Sequence, residues 1–173
     1  IVDFYLDNDN SQQLASAVLA LGCVALIFFL GTLRRALRAA PGDEGGLSTV
    51  ALLGGLVIAV GASIFAGIGF TLGDAADELP PGAILTLNAL NSDMFFTVAV
   101  GTAVFNLALA LAVLRHGGLP RPLGWVALVF GIAGLTPLGF FAFLATGIVI
   151  VWASVVLAMR ANTAAGSPPV ANP

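Results

Sequence analysis

Charge is scarce in this chain. Its 173 residues include only six basic and nine acidic side chains, 9% of the total, where an ordinary soluble domain carries roughly 25%. Lysine is absent and all six basic residues are arginine, while Cys23 is the sole cysteine and His116 the sole histidine. One cysteine excludes a disulfide framework or a cysteine-rich metal site within the chain. One histidine excludes the two-histidine zinc protease motif, and the sequence has no Gly-x-Ser-x-Gly elbow, Walker loop or dinucleotide fingerprint. Paired intramembrane aspartates are missing too. The few arginines form no stripe interleaved with aromatics, and a net charge of −3 does not favour nucleic acid. The expectation is a non-enzymatic protein without a cofactor or metal.

What is abundant is apolar sequence. Hydrophobic residues make up 59% and the mean hydropathy is +1.05. Fifteen charges cannot solvate the surface of such a chain, so lipid must cover most of it. Apolar runs of spanning length fall at about 14–33, 47–73 and 91–114, with a longer one over 123–159. As a single helix that last run would be about 55 Å long at 1.5 Å per residue, against roughly 30 Å of hydrocarbon. Thr136-Pro137-Leu138-Gly139 near its middle predicts a hairpin turn, giving two spans, 123–137 and 139–159. The reading is an all-α polytopic bundle with five visible spans over 1–160, and a disordered cytoplasmic tail over 161–173.

Charge segregates in agreement with that count. Arg34, Arg35, Arg38, Arg115, Arg121 and Arg160 all fall on one side, which the positive-inside rule makes cytoplasmic. Asp3, Asp7, Asp9, Asp74, Asp77, Glu78 and Asp93 collect on the other, and only Asp43 and Glu44 break the pattern. The first visible residues are then outside, which predicts one further span upstream and a six-helix parent. Trp125 near Arg121 suits an inner-interface anchor, and Phe95, Phe96, Phe140 and Phe141 lie near the outer boundary. Asn10-Ser11-Gln12-Gln13 predicts the start of the first span, and Ala83 to Leu90 a short interfacial helix or lid before Asn91 or Ser92 caps the third.

Two residue patterns bear on function. Ala51, Gly55, Ala59, Ser63, Gly67 and Thr71 form a row of small residues four apart, suited to close helix packing within the bundle or against a second copy or partner. Asn91, Asp93, Thr97, Thr102 and Asn106 give the third span most of its polar side chains and are expected to line a pocket opening outward. Asp93 has an alternative reading as a helix cap. His116 at the inner boundary reads as solvated. Asp7-Asn8-Asp9-Asn10-Ser11 begins like a calcium loop, but Gln12 stands at the required glycine and Val18 at the final glutamate position.

Val2-Asp3-Phe4-Tyr5-Leu6-Asp7-Asn8, Leu33-Arg34-Arg35-Ala36-Leu37-Arg38 and Gly118-Leu119-Pro120-Arg121-Pro122-Leu123-Gly124-Trp125 carry a further signal. With these stretches the chain resembles a family of uncharacterised six-span integral membrane proteins of high-GC Gram-positive bacteria, here without the first helix. The resemblance implies a multi-pass fold in the bacterial plasma membrane and no activity. The leading expectation is an accessory or interaction protein acting through helix contacts with a membrane partner or a second copy. The alternative is a small carrier or ligand-binding protein using the polar pocket.

Overall fold

The computed structural model describes residues 2–42, 45–75 and 77–165. Six helices follow one another: α1 (Val2–Asp7), α2 (Asp9–Arg38), α3 (Gly46–Asp74), α4 (Pro81–His116), α5 (Arg121–Ala133) and α6 (Gly139–Ala165). The described residues contain no strand. Four helices, α2, α3, α4 and α6, are long and apolar enough to cross a membrane. Asp43 and Glu44, the two exceptions to the charge pattern, lie outside the described residues.

Four boundaries differ from the sequence expectation. The third span does not begin at Asn91, because α4 runs unbroken for 36 residues, about 54 Å at 1.5 Å per residue. Pro80 is extended and Pro81 occupies the first turn, where its missing N–H costs nothing. Between Gly82 and Gly101 no glycine or proline interrupts the helix. Ser92, one of the two residues expected as the cap, is satisfied inside it instead: its Oγ donates to the Asn88 carbonyl at 3.0 Å, as Thr86 Oγ1 does to the Gly82 carbonyl at 2.8 Å. Ala83 to Leu90 is therefore the first part of α4 and not a separate lid.

The fourth span is also shorter than 123–137. Helix α5 has 13 residues, about 20 Å, and is not long enough by itself to cross roughly 30 Å of hydrocarbon. It stops because Pro137 cannot continue it, and Thr136 Oγ1 accepts the Leu138 N–H at 3.2 Å inside the turn. The third difference is at α2, whose cap is Asn8 rather than Asn10 or Ser11, without a side-chain cap hydrogen bond. At the other end of the chain, α6 continues to Ala165, into the stretch expected to be a disordered tail, and 166–173 lie outside the described residues.

Glycine sets how the bundle packs. A Cβ at Gly61 would lie 3.0 Å from Val98 Cγ2, and Gly54 and Gly101 meet the facing helix at its backbone. Helices α3 and α4 thus form an antiparallel pair in nearly direct backbone contact, the most extensive interface in the molecule. In lipid such contact is favoured by van der Waals packing, since apolar side chains gain nothing by leaving hydrocarbon. On its other flank α3 receives α2, with Gly55 against Leu30, Gly69 against Ser16 and Gly73 against the Asp9 carbonyl. Leu30, Leu33, Phe105, Leu109, Leu123 and Val149 fill the main core. Tyr5, Leu72 and Ile84 form a smaller core where α1 covers the start of α4.

The two ends of the bundle are chemically distinct. Gly117 and Gly118 take φ of +80° and +81°, a region that L side chains rarely occupy, and turn the chain from α4 towards α5. Arg160 Nη1 donates to the Gly118 carbonyl at 2.6 Å, which brings the α6 end and the α4–α5 connection to the same arginine-bearing end. Asp9 and Asp74 mark the opposite, acid end, where the start of α2 meets the end of α3.

Candidate functional site

One lateral opening of the bundle is almost wholly apolar. Helices α2 and α6 approach each other at only a few points, and between them runs a cleft of about 520 Å³ floored by Ile58 and Ala62 of α3. Gly22, Cys23 and Ala25 form much of one wall, and Thr146, Gly147 and Ser154 part of the other. A Cβ added at Gly22 or at Gly147 would meet nothing within 4 Å, so both glycines leave open space. The lining is otherwise aliphatic and aromatic, with Leu19, Phe29, Phe143 and Ile150.

A buried polar cross-link lies behind the α6 wall. Asn106 is fully buried and its Nδ2 donates to the Thr102 carbonyl at 2.9 Å and to Thr146 Oγ1 at 2.7 Å. Thr146 Oγ1 passes its own hydrogen to the Ala142 carbonyl at 2.7 Å. Thr102 is satisfied within its helix by the Val98 carbonyl at 2.8 Å. The Asn106 Oδ1 is buried without a partner. These groups tie α4 to α6, with Thr102 and Asn106 sealed behind Thr146, which borders the cleft.

At the acid end a second cavity of about 320 Å³ lies between α2, α3 and α4. Tyr5, Gln12, Ser16, Asn88, Asn91 and Ser92 give it a polar lining, and Leu19, Phe65 and Ala66 an apolar one. The Tyr5 hydroxyl donates to Asn88 Oδ1 at 2.7 Å, fixing the Asn88 amide and fastening α1 to α4. Burial raises the Tyr5 phenol above its ordinary value of 10.0. Asn91 is 9% exposed and its Oδ1 has no partner.

The five polar residues expected to share a pocket are thus dispersed. Asn91 lines the acid-end cavity, and Thr102 and Asn106 are sealed in the bundle. Thr97 faces outward beside Leu53, Leu56, Val57 and Val60. Asp93 is an exposed mid-helix residue, not a cap, in a groove with Phe96, Thr136 and Pro137. The small-residue row divides as well: Ala51, Gly55 and Ala59 are buried, whereas Ser63, Gly67 and Thr71 are exposed. His116 packs beside Gly42 at the arginine end and is half-buried. Sequence reasoning passed over Gly22, Gly147 and Thr146, although Thr146 is one of few polar residues in its run and was a usable signal.

Tyr5→Phe removes the α1–α4 hydrogen bond and is expected to lower stability by about 1 kcal/mol in thermal unfolding at neutral pH. With the folded pKa raised, the unfolded chain loses the phenolic proton first. The wild-type protein should therefore lose stability as pH rises above 10.0, and the variant should lack that component. An equal alkaline slope in both proteins would refute this.

Compared with known protein families, with curated proteins and with solved structures, the chain shows no match.

Proposed function

We propose that the protein is a non-enzymatic, multi-pass protein of the bacterial plasma membrane that binds a lipid by an apolar chain laid in the α2–α6 cleft. The arginine end faces the cytoplasm in this reading, on the positive-inside rule, and α5 with its turn completes the crossing that α6 reverses. Membership of the six-span Gram-positive family belongs to the same proposal. The observation that carries it is the cleft itself: an apolar volume, open between two lipid-facing helices, with glycine on both walls. Packed helices lie 8–10 Å apart, so a helix inserted between α2 and α6 would need them about twice that distance from one another. Here α2 and α6 come within 8 Å, Cα to Cα, which suits a methylene chain.

The exposed Ser63, Gly67 and Thr71 favour a second reading, in which this edge of α3 meets another helix, from a second copy or a membrane partner. Native mass spectrometry of protein extracted gently with its lipid separates the two. Lipid retained at a fixed ratio, and reduced at least severalfold by Gly22→Leu or Gly147→Leu, is the expected result. Both substitutions enter open space, so the fold should persist. A stoichiometric second polypeptide with no bound lipid would instead support the helix-contact role, and retention unaffected by Gly147→Leu would remove the cleft from consideration.

A further inference from the structure

The acid-end cavity and the lateral cleft are neighbours. Leu19 lines both, and it also lines a small apolar space bounded by Ala62, Phe65, Phe95 and Phe143. Phe65 is shared by that space and the polar cavity, and Ala62 and Phe143 by that space and the cleft. A polar compartment at the acid end thus adjoins an apolar one further along the bundle. Gly69, which borders the polar compartment, is five residues, or about 8 Å of helix, from Asp74.

We infer that the acid-end cavity receives an uncharged, hydroxyl-rich headgroup, a sugar or glycerol type, of the lipid whose chain occupies the cleft; this rests on the lipid-binding reading above. Its volume is at the lower end of small-molecule sites and far above the roughly 30 Å³ share of one water. Among the described residues no charged side chain lines it, so none of these balances a phosphate or an ammonium. Asn91 borders the cavity and its Oδ1 is buried without a hydrogen-bond partner. Because Tyr5 occupies Asn88 Oδ1, the Asn88 amide has its N–H groups to offer, while the Tyr5 oxygen can still accept.

The lining residues therefore offer both donors and acceptors, and a hydroxyl group, which both donates and accepts, matches them where an ester carbonyl alone does not. Gly69 preserves the room, since a Cβ there would stand 3.0 Å from Ser16 Oγ. Phe65 and Leu19 offer an apolar wall to the C–H face of a ring or to the glycerol backbone.

The test compares lipids with identical acyl chains in nanodiscs: glucosyl-diacylglycerol, phosphatidylglycerol and phosphatidylcholine, with free methyl glucoside as the soluble arm. Retained lipid is read by native mass spectrometry. The wild-type protein should favour glucosyl-diacylglycerol by roughly tenfold, the loss expected when a rival headgroup leaves one buried polar group unpaired. Asn91→Leu and Gly69→Ala should abolish that preference while leaving total lipid retention intact, whereas Gly147→Leu should reduce all three lipids together. Equal retention of all headgroups, still sensitive to Gly147→Leu, overturns the headgroup assignment and leaves the cleft reading standing. No retention of any lipid overturns both. Binding of methyl glucoside without lipid keeps the hydroxyl chemistry but overturns the lipid as its source.

Discussion

Alanine at Gly54 or Gly101 should destabilise the protein by about 1 to 3 kcal/mol, the usual cost of overpacking, although alanine is the better helix former. A Cβ at Gly54 would stand 2.5 Å from the Phe105 amide nitrogen and 2.9 Å from its Cα. At Gly101 it would stand 2.8 Å from the Ile58 nitrogen and 3.0 Å from the Gly54 carbonyl oxygen. These neighbours are backbone atoms, and no rotamer change can move them aside. The α3–α4 pair must separate, and the dispersion contacts that hold helices together in lipid fall off steeply with distance. Gly67→Ala is the control, because nothing lies within 4 Å of its Cβ and the residue is exposed. That variant should be unchanged or more stable by up to about 1 kcal/mol. Unfolding in mixed micelles by denaturing detergent, followed by circular dichroism, ranks the three. Gly101→Ala as stable as Gly67→Ala would show that the close approach does not hold the pair.

Asn106→Asp should be the most damaging isosteric change. An ionised carboxylate at mid-helix in a membrane costs about 2.5 to 3.5 kcal/mol on insertion scales. Here it would also face the Thr102 carbonyl, to which Asn106 Nδ2 now donates. The variant should therefore be less stable than wild type by about 2 to 3 kcal/mol. Asn106→Leu should cost only about 1 kcal/mol or less, because Thr146 keeps its bond to Ala142. The measurement is detergent unfolding of the three proteins at neutral pH. Asn106→Asp as stable as Asn106→Leu would mean that water reaches this position.

These expectations show which features a sequence can carry. Long apolar runs and the placement of arginines are one-dimensional signals, and the positions of α2, α3 and the α5–α6 turn were legible from them. The continuity of α4 was not, because Asn91 and Ser92 read equally as caps and as internal residues that bond one turn back, and the choice depends on Pro80-Pro81 starting the helix earlier. The length of α5 was hidden for a related reason. Hydropathy runs on through Gly134-Leu135-Thr136, where the backbone has already turned.

The site was less legible than the fold. Six small residues four apart form a row that drifts around the helix. Its first half is buried and its second half exposed, while the closest backbone approach of α3 to α4 uses Gly54, which is not in the row. The polar residues of α4 were identifiable by type. Their separation into a sealed cross-link, an acid-end cavity and an outward face depends on α2 and α6, whose positions a single helix's pattern does not contain.

The cross-link from Asn106 to Thr146 has a mechanical side. Helix α6 shares little surface with any one neighbour, and three attachments restrain it: the turn before Gly139, the Thr146 hydroxyl near its first third, and Arg160 on the Gly118 carbonyl. It is a beam pinned at three points. The facing wall, α2, is seated along α3 by Gly55, Gly69 and Gly73. Between Thr146 and Arg160, α6 carries Gly147, Ile150 and Ser154 on the cleft while Val149 and Ala153 sit in the core, so both walls of the cleft are anchored from within the bundle.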